Sequence, residues 1–218
     1  MSHTLTALSA ALPLAAGWSL HSLRLRRRIE AARRDPLTGL LTRDAFADRV
    51  ARMLAQGPSA VYVIDLDRFK AINDTHGHAA GDTVLRTTGL RLSRWADENA
   101  GTVVRLGGDE FAAVARVFSR EDLLWTLTEL TRVLEEPVHA DSHVFTVGAS
   151  IGAVAYDPAT DTADVSALLR LADEQMYRAK RGGAPWMNAL TLTPEHATVN
   201  GRRAGRRGTT SSGTETVA

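Results

Sequence analysis

No cysteine occurs anywhere in the chain. Disulfide staples and thiolate metal sites are therefore excluded, and any metal must be held by oxygen or imidazole. Aromatic residues are sparse, and the two basic clusters at 24–34 and 202–207 have none interleaved with them. That argues against a nucleic-acid surface and for solvated or membrane-facing charge. Net charge is also nearly absent, at +1, so no strong field of one sign dictates a partner. Long apolar runs are missing beyond the N-terminus, where Thr4 to Leu23 carries no Asp, Glu, Lys or Arg. With 44% hydrophobic and 23% charged residues in 218, the remainder suits one core of roughly 150 residues plus extensions.

A stretch of roughly 20 residues can just cross a bilayer as a helix. The arginines at 24, 26, 27, 28, 33 and 34 would then keep the rest of the chain on the cytoplasmic side. Residues 1–23 thus read as a transmembrane or membrane-associated segment. Pro13, Ser9, Ser19, His21 and Ser22 dilute it, which leaves an amphipathic dimerising helix as the alternative. Residues 24–34 read as an arginine-rich helical linker, 35–190 as the folded domain, and 191–218, rich in Gly, Arg, Thr and Ser, as a disordered tail.

Within the domain, Arg105-Leu106-Gly107-Gly108-Asp109-Glu110-Phe111 stands between a β-branched run and an apolar one. This predicts a tight β-hairpin with two acids at its tip. Alone, such a tip is an ordinary solvated turn. Upstream, Ala60 to Leu66 is a near-continuous apolar run and predicts a central strand buried on both faces, with Asp65 at its C-terminal end. An ionised acid there needs a partner to offset desolvation. If the two strands lie side by side, Asp65 and Asp109 converge, and a pair of carboxylates suits Mg²⁺, whose other sites go to water and phosphate.

Helices are predicted over Arg43–Leu54, capped by Thr42; over Thr83–Asp97, with Val84, Leu85, Leu90, Leu92 and Trp95 inward; and over Glu121–Glu135, with Trp125 in the core. Residues 143–156 read as a strand pair or one long bent strand, and Asp164–Lys180 as a helix ended by Gly182-Gly183. His76 and His78 lack a second imidazole at ligand spacing and read as structural.

Asp65-Leu66-Asp67, Phe69-Lys70, Ile72-Asn73-Asp74, Gly77-His78, Gly81-Asp82 and the hairpin motif together resemble the GGDEF family of diguanylate cyclases. Asp35-Pro36-Leu37-Thr38-Gly39-Leu40, Ser150-Ile151-Gly152 and the run from Ala172 to Lys180 are similar to that family's other landmarks, so the resemblance spans about residues 35 to 183. It implies a palm-like nucleotidyl cyclase fold, a central, mostly antiparallel sheet flanked by helices. It also implies condensation of two GTP to cyclic di-GMP and two pyrophosphates by a homodimer using Mg²⁺ or Mn²⁺.

Carried over residue by residue, Asp65, Asp109 and the Leu66 carbonyl would hold the metal, and Asn73 and Asp82 would read guanine. Phe69 and Lys70, with the amides around Arg68, and Lys180 would meet the phosphates. Glu110 would assist loss of the nucleophile's proton, and Gly107 and Gly108 would keep the hairpin open.

Two departures stand out. The family's inhibitory product site, an arginine and an aspartate three apart, falls on Glu98-Asn99-Ala100-Gly101, so no such site is expected. Where the family commonly has arginine near the phosphates, this chain has Ala184-Pro185. The loss would cost about 1 to 3 kcal/mol of GTP binding unless Arg181 compensates. The alternative reading is a catalytically silent GTP- or cyclic di-GMP-binding interaction module.

Overall fold

In the computed structural model of the protein, the described residues are Trp18, 21–25, Arg28, 32–140 and 143–189. Most of the expected membrane segment, residues 1–23, and the whole expected tail, 191–218, lie outside them. Among the described residues no helix is long and apolar enough to cross a membrane.

Among the described residues, five helices and seven strands come after Asp35: α1 (Arg43–Ala55), β1 (Ser59–Leu66), α2 (Phe69–His76), α3 (His78–Glu98), β2 (Thr102–Gly107), β3 (Glu110–Arg116), α4 (Arg120–Glu135), β4 (Val138–Ala140), β5 (His143–Phe145), β6 (Ala149–Tyr156), α5 (Val165–Gly182) and β7 (Trp186–Ala189). The main sheet runs β2-β3-β1-β6-β7. Its first four strands pair antiparallel and β7 lies parallel to β6. This is a central, mostly antiparallel sheet flanked by helices.

β1 is buried along its whole length because the period of two sends alternate side chains into two different cores. Tyr62, Ile64 and Leu66 join Leu85, Leu92 and Trp95 of α3 and Leu123, Leu127 and Leu130 of α4. Val61 and Val63 join Phe46 and Val50 of α1 and Leu168 and Leu171 of α5. Burying each such aliphatic side chain contributes about 1.5 to 3 kcal/mol. α5 can press on β6 because residue 152 is glycine; a Cβ there would collide with the Ala172 carbonyl and the Met176 amide.

Several expectations need correction. Trp125 is 62% exposed, because the buried positions of α4, at Leu123, Thr126, Leu127, Leu130 and Leu134, leave it on the outer face. Leu90, 52% exposed, is likewise not on the inward face of α3. That helix begins at His78 rather than Thr83, with Gly77 at φ 82 as its cap. Thr42 stands at the N-cap of α1 but makes no side-chain capping bond; its amide donates to the Arg33 carbonyl at 2.8 Å. Residues 143–156 do hold two strands rather than one bent one, but the two are not paired with each other. β5 pairs with β4 in a separate ribbon, while β6 joins the main sheet. β7 leaves no signal in the sequence, being four residues long and half-exposed without an alternating pattern.

Candidate active site

The register of β1 against β3 sets the site. Asp65 is paired with Glu110, and the Leu66 amide donates to the Asp109 carbonyl at 3.3 Å. The acid-bearing hairpin tip therefore meets the C-terminal end of the central strand. Lys180, from the last turn of α5, donates from Nζ to Asp65 Oδ1 at 2.5 Å. That hydrogen bond, with the carboxylates around it, holds the Lys180 ammonium's pKa above its usual range. Burial, reinforced by the charge of Asp65, pushes the Asp109 carboxyl up; Asp109's own backbone, Lys180 and Arg105 offset part of the effect.

Among the described residues no three or more His, Asp or Glu side chains are grouped to hold a metal. Asp65 and Asp109 do interact as like charges in a half-desolvated place, beside the backbone of Leu66. Such an oxygen-only donor set fits a hard divalent cation that takes its remaining ligands from water and phosphate.

The tip itself is shaped by glycine. Gly107 and Gly108 have φ of 150 and 56, and the ladder shifts register between Arg105 and Gly107. Open space lies where their Cβ atoms would be. Arg105 braces the turn by donating from Nε and Nη2 to the Gly108 carbonyl at 3.0 and 2.8 Å. Its Nη1 also reaches Asp35 Oδ1 at 3.4 Å. Asp35 in turn accepts from the amide and hydroxyl of Thr38 at 2.8 and 2.6 Å. Burial opposes ionisation of Asp35, but the Thr38 bonds and the Arg105 charge outweigh it and hold the carboxyl low. Sequence reasoning misses this link, since residues 70 positions apart carry no signal that they meet.

After β1 the chain turns sharply. Arg68 is the N-cap of α2 with a left-handed φ of 57, and the first amides of α2, including those of Phe69 and Lys70, come directly after it. The Phe69 side chain is buried and Lys70 is exposed. Asp67 is fixed by donating its amide to the Gly148 carbonyl and by accepting from Ser150 Oγ, each at 2.8 Å.

Asn73 packs over Gly81, where any Cβ would collide with Asn73 Oδ1, so the fold brings Asn73 against the residue preceding Asp82. Asp82 lies in the opening turns of α3 and accepts from Arg86 at 3.4 Å. His76 sits in a ring cluster with His143 and Phe145, centroids 4.9 and 5.0 Å away, and His78 starts α3.

On the other face of α2 lies a cavity of about 820 Å³, bordered by Arg68, Ile72, His76, Ser150, Lys180 and Ala184. Arg181 lies over the Tyr177 ring, 5.8 Å from its centroid, and is not among the lining residues.

A mostly antiparallel sheet with two acids on a glycine hairpin, facing a third acid and a lysine, defines an α/β domain of the nucleotidyl cyclase class. The family model for the GGDEF domain of diguanylate cyclases matches residues 32–185, and the chain belongs to that family. A 19.3 kDa protein from the repSA 5′ region of Streptomyces ambofaciens is 44% identical over 181 residues, covering 80% of this chain and 94% of that one. The diguanylate cyclase TpbB of Pseudomonas aeruginosa is 40% identical over 157 residues, which are 69% of this chain but 35% of TpbB. The chain thus spans about a third of that cyclase. The crystal structure of the coiled coil and GGDEF domain of DgcB from Caulobacter crescentus, in complex with c-di-GMP, is similar with a TM-score of 0.71. The identity is 27%, over 84% of this chain and 99% of that one.

Proposed function

We propose that this chain is a diguanylate cyclase acting as a homodimer, each copy presenting one GTP. The 3′-hydroxyl of each nucleotide attacks the α-phosphorus of the other. Each step forms one P–O bond, breaks the bond to the bridging oxygen, releases one pyrophosphate and gives up the hydroxyl proton. The observation that carries the reading is the convergence of Asp65, Asp109 and Lys180 at the end of β1.

In this reading Asp65, Asp109 and the Leu66 carbonyl hold Mg²⁺ or Mn²⁺. The cation, when bound, supplies charge neutralisation at the phosphates and acidifies the attacking hydroxyl. Asp82 accepts from the N1–H and N2–H edge of guanine, and the Asn73 amide donates to and accepts from the same base. Their pairing discriminates strongly, because a wrong base would leave both groups unmatched. Lys180, Lys70 and the amides opening α2, at Phe69 and Lys70, meet the phosphates. Glu110 assists departure of the hydroxyl proton. The catalytic unit comprises residues 35–190 on the cytoplasmic side, joined through the basic linker at 24–34 to a membrane-associating segment at 1–23.

One observation favours the rival reading of a silent nucleotide-binding module: Ala184 leaves the phosphate end without a side-chain cation at that position. Incubating the purified chain with GTP and Mg²⁺ or Mn²⁺ tests the choice. Cyclic di-GMP is expected from the wild type and not from Asp109→Ala; no product at high protein concentration favours the module. With Glu98 and Gly101 in place of the product-binding pair, added cyclic di-GMP is expected to give no noncompetitive inhibition. Strong inhibition of that type at low micromolar product would refute it.

A further inference from the structure

Four charged side chains line the cavity beside α2: Asp67, Arg68, Glu135 and Lys180. Two are already engaged within the fold. Asp67 is held by Ser150 Oγ and its own amide by Gly148, and Lys180 is bonded to Asp65. Arg68 is exposed and its guanidinium makes no hydrogen bond or ion pair with the described residues. Its backbone is also unusual. A φ of 57 at a non-glycine residue is a left-handed conformation that L side chains adopt only at a cost, and the fold keeps it at the step from the acid-bearing strand into α2. The same cavity wall carries Lys180 and Ala184, while Arg181 is turned to Tyr177.

Resting on the cyclase reading above, we infer that Arg68 is the second cation of the triphosphate site, binding the terminal phosphates in the cavity that Lys180 also lines, where Ala184 offers no charge. A triphosphate carries about four negative charges, and Lys180 is already shared with Asp65. A guanidinium can take two phosphate oxygens at once through parallel N–H donors, which a lysine cannot. The 820 Å³ cavity leaves room for that approach. Arg68 would thus set preference for tri- over monophosphates without touching the base, since Asn73 packs toward Gly81 and does not line this cavity.

The test measures equilibrium binding of 3′-deoxy-GTP, which lacks the attacking hydroxyl, and of GMP to the full chain with Mg²⁺. Arg68→Asn removes the charge while asparagine tolerates the left-handed backbone. It is expected to weaken 3′-deoxy-GTP binding at least tenfold and to leave GMP within twofold. Arg68→Lys should fall between, and Arg68→Asn combined with Ala184→Arg should recover most of the loss. Unchanged 3′-deoxy-GTP binding in Arg68→Asn would overturn the inference while leaving the cyclase reading intact. A parallel loss of GMP would overturn it too, by marking a structural role. A wild-type chain that binds no 3′-deoxy-GTP would bring down both.

Discussion

Gly81 illustrates how one missing Cβ can shape the proposed guanine site. It lies inside α3, where alanine is usually favoured by about 1 kcal/mol, yet a methyl group there would collide with Asn73 Oδ1 and come within 3.1 Å of the Phe69 ring. The two effects act on different quantities. Gly81→Ala is expected to leave the unfolding midpoint within a few degrees of wild type, helix propensity offsetting local crowding. It should also push the Asn73 amide away and weaken GTP binding roughly tenfold, the worth of about one well-made hydrogen bond to the base. Thermal unfolding and nucleotide titration on the same sample separate the two, and unchanged affinity would show that Asn73 does not depend on this gap. Asn73 and Asp82 are legible in the sequence through their motif. The reason residue 81 must be glycine is not, because it depends on α2 and α3 meeting at Gly77, whose φ is positive.

At the scale of elements, the entry turn at Asp35 and the β2–β3 hairpin are tied through Arg105, which bonds both Asp35 and the Gly108 carbonyl. The Asp35 carboxyl is held below the usual aspartate range, so linkage gives a definite sign. Its stabilisation is fully present above the unfolded pKa and is lost as pH falls through the lower folded value. Asp35→Asn is therefore expected to be less stable than wild type by roughly 1.5 to 3 kcal/mol near neutrality, with the gap closing as pH drops below about 3.9. Chemical denaturation at pH 7 and near pH 3 checks this, and a gap independent of pH would rule out the ionised pair as its source. The elements joined here are largely readable from sequence. β1 announces itself by an apolar run, the hairpin by its glycines, and α5 by its period and Gly182-Gly183. What escapes is pairing: β5 and β6 are separated by only three residues, yet they enter different sheets because Asp67 donates its amide to the Gly148 carbonyl and anchors the gap. Trp125 escapes for a related reason, since helical period alone does not say which stripe meets the sheet when Leu124 and Trp125 extend it.

For the whole molecule, one sheet with an apolar core on each face carries the site, and the assembly is a matter of stoichiometry. The chain offers one hairpin, one Asp65 and one pair proposed to read guanine, Asn73 and Asp82, so the proposed reaction needs a second copy to supply the other nucleotide and the other nucleophile. If that pairing is weak, active species form in proportion to the square of the chain concentration. Initial velocity should then rise fourfold when protein is doubled in the dilute range, and only twofold once dimers saturate. Adding Asp109→Ala chains to a fixed dilute amount of wild type should lower the velocity, since mixed dimers carry one impaired half-site, whereas adding an inert protein should not. A specific activity that stays constant down to concentrations at which sedimentation shows only monomer would mean that one chain completes the reaction alone, and the two-copy mechanism would fall.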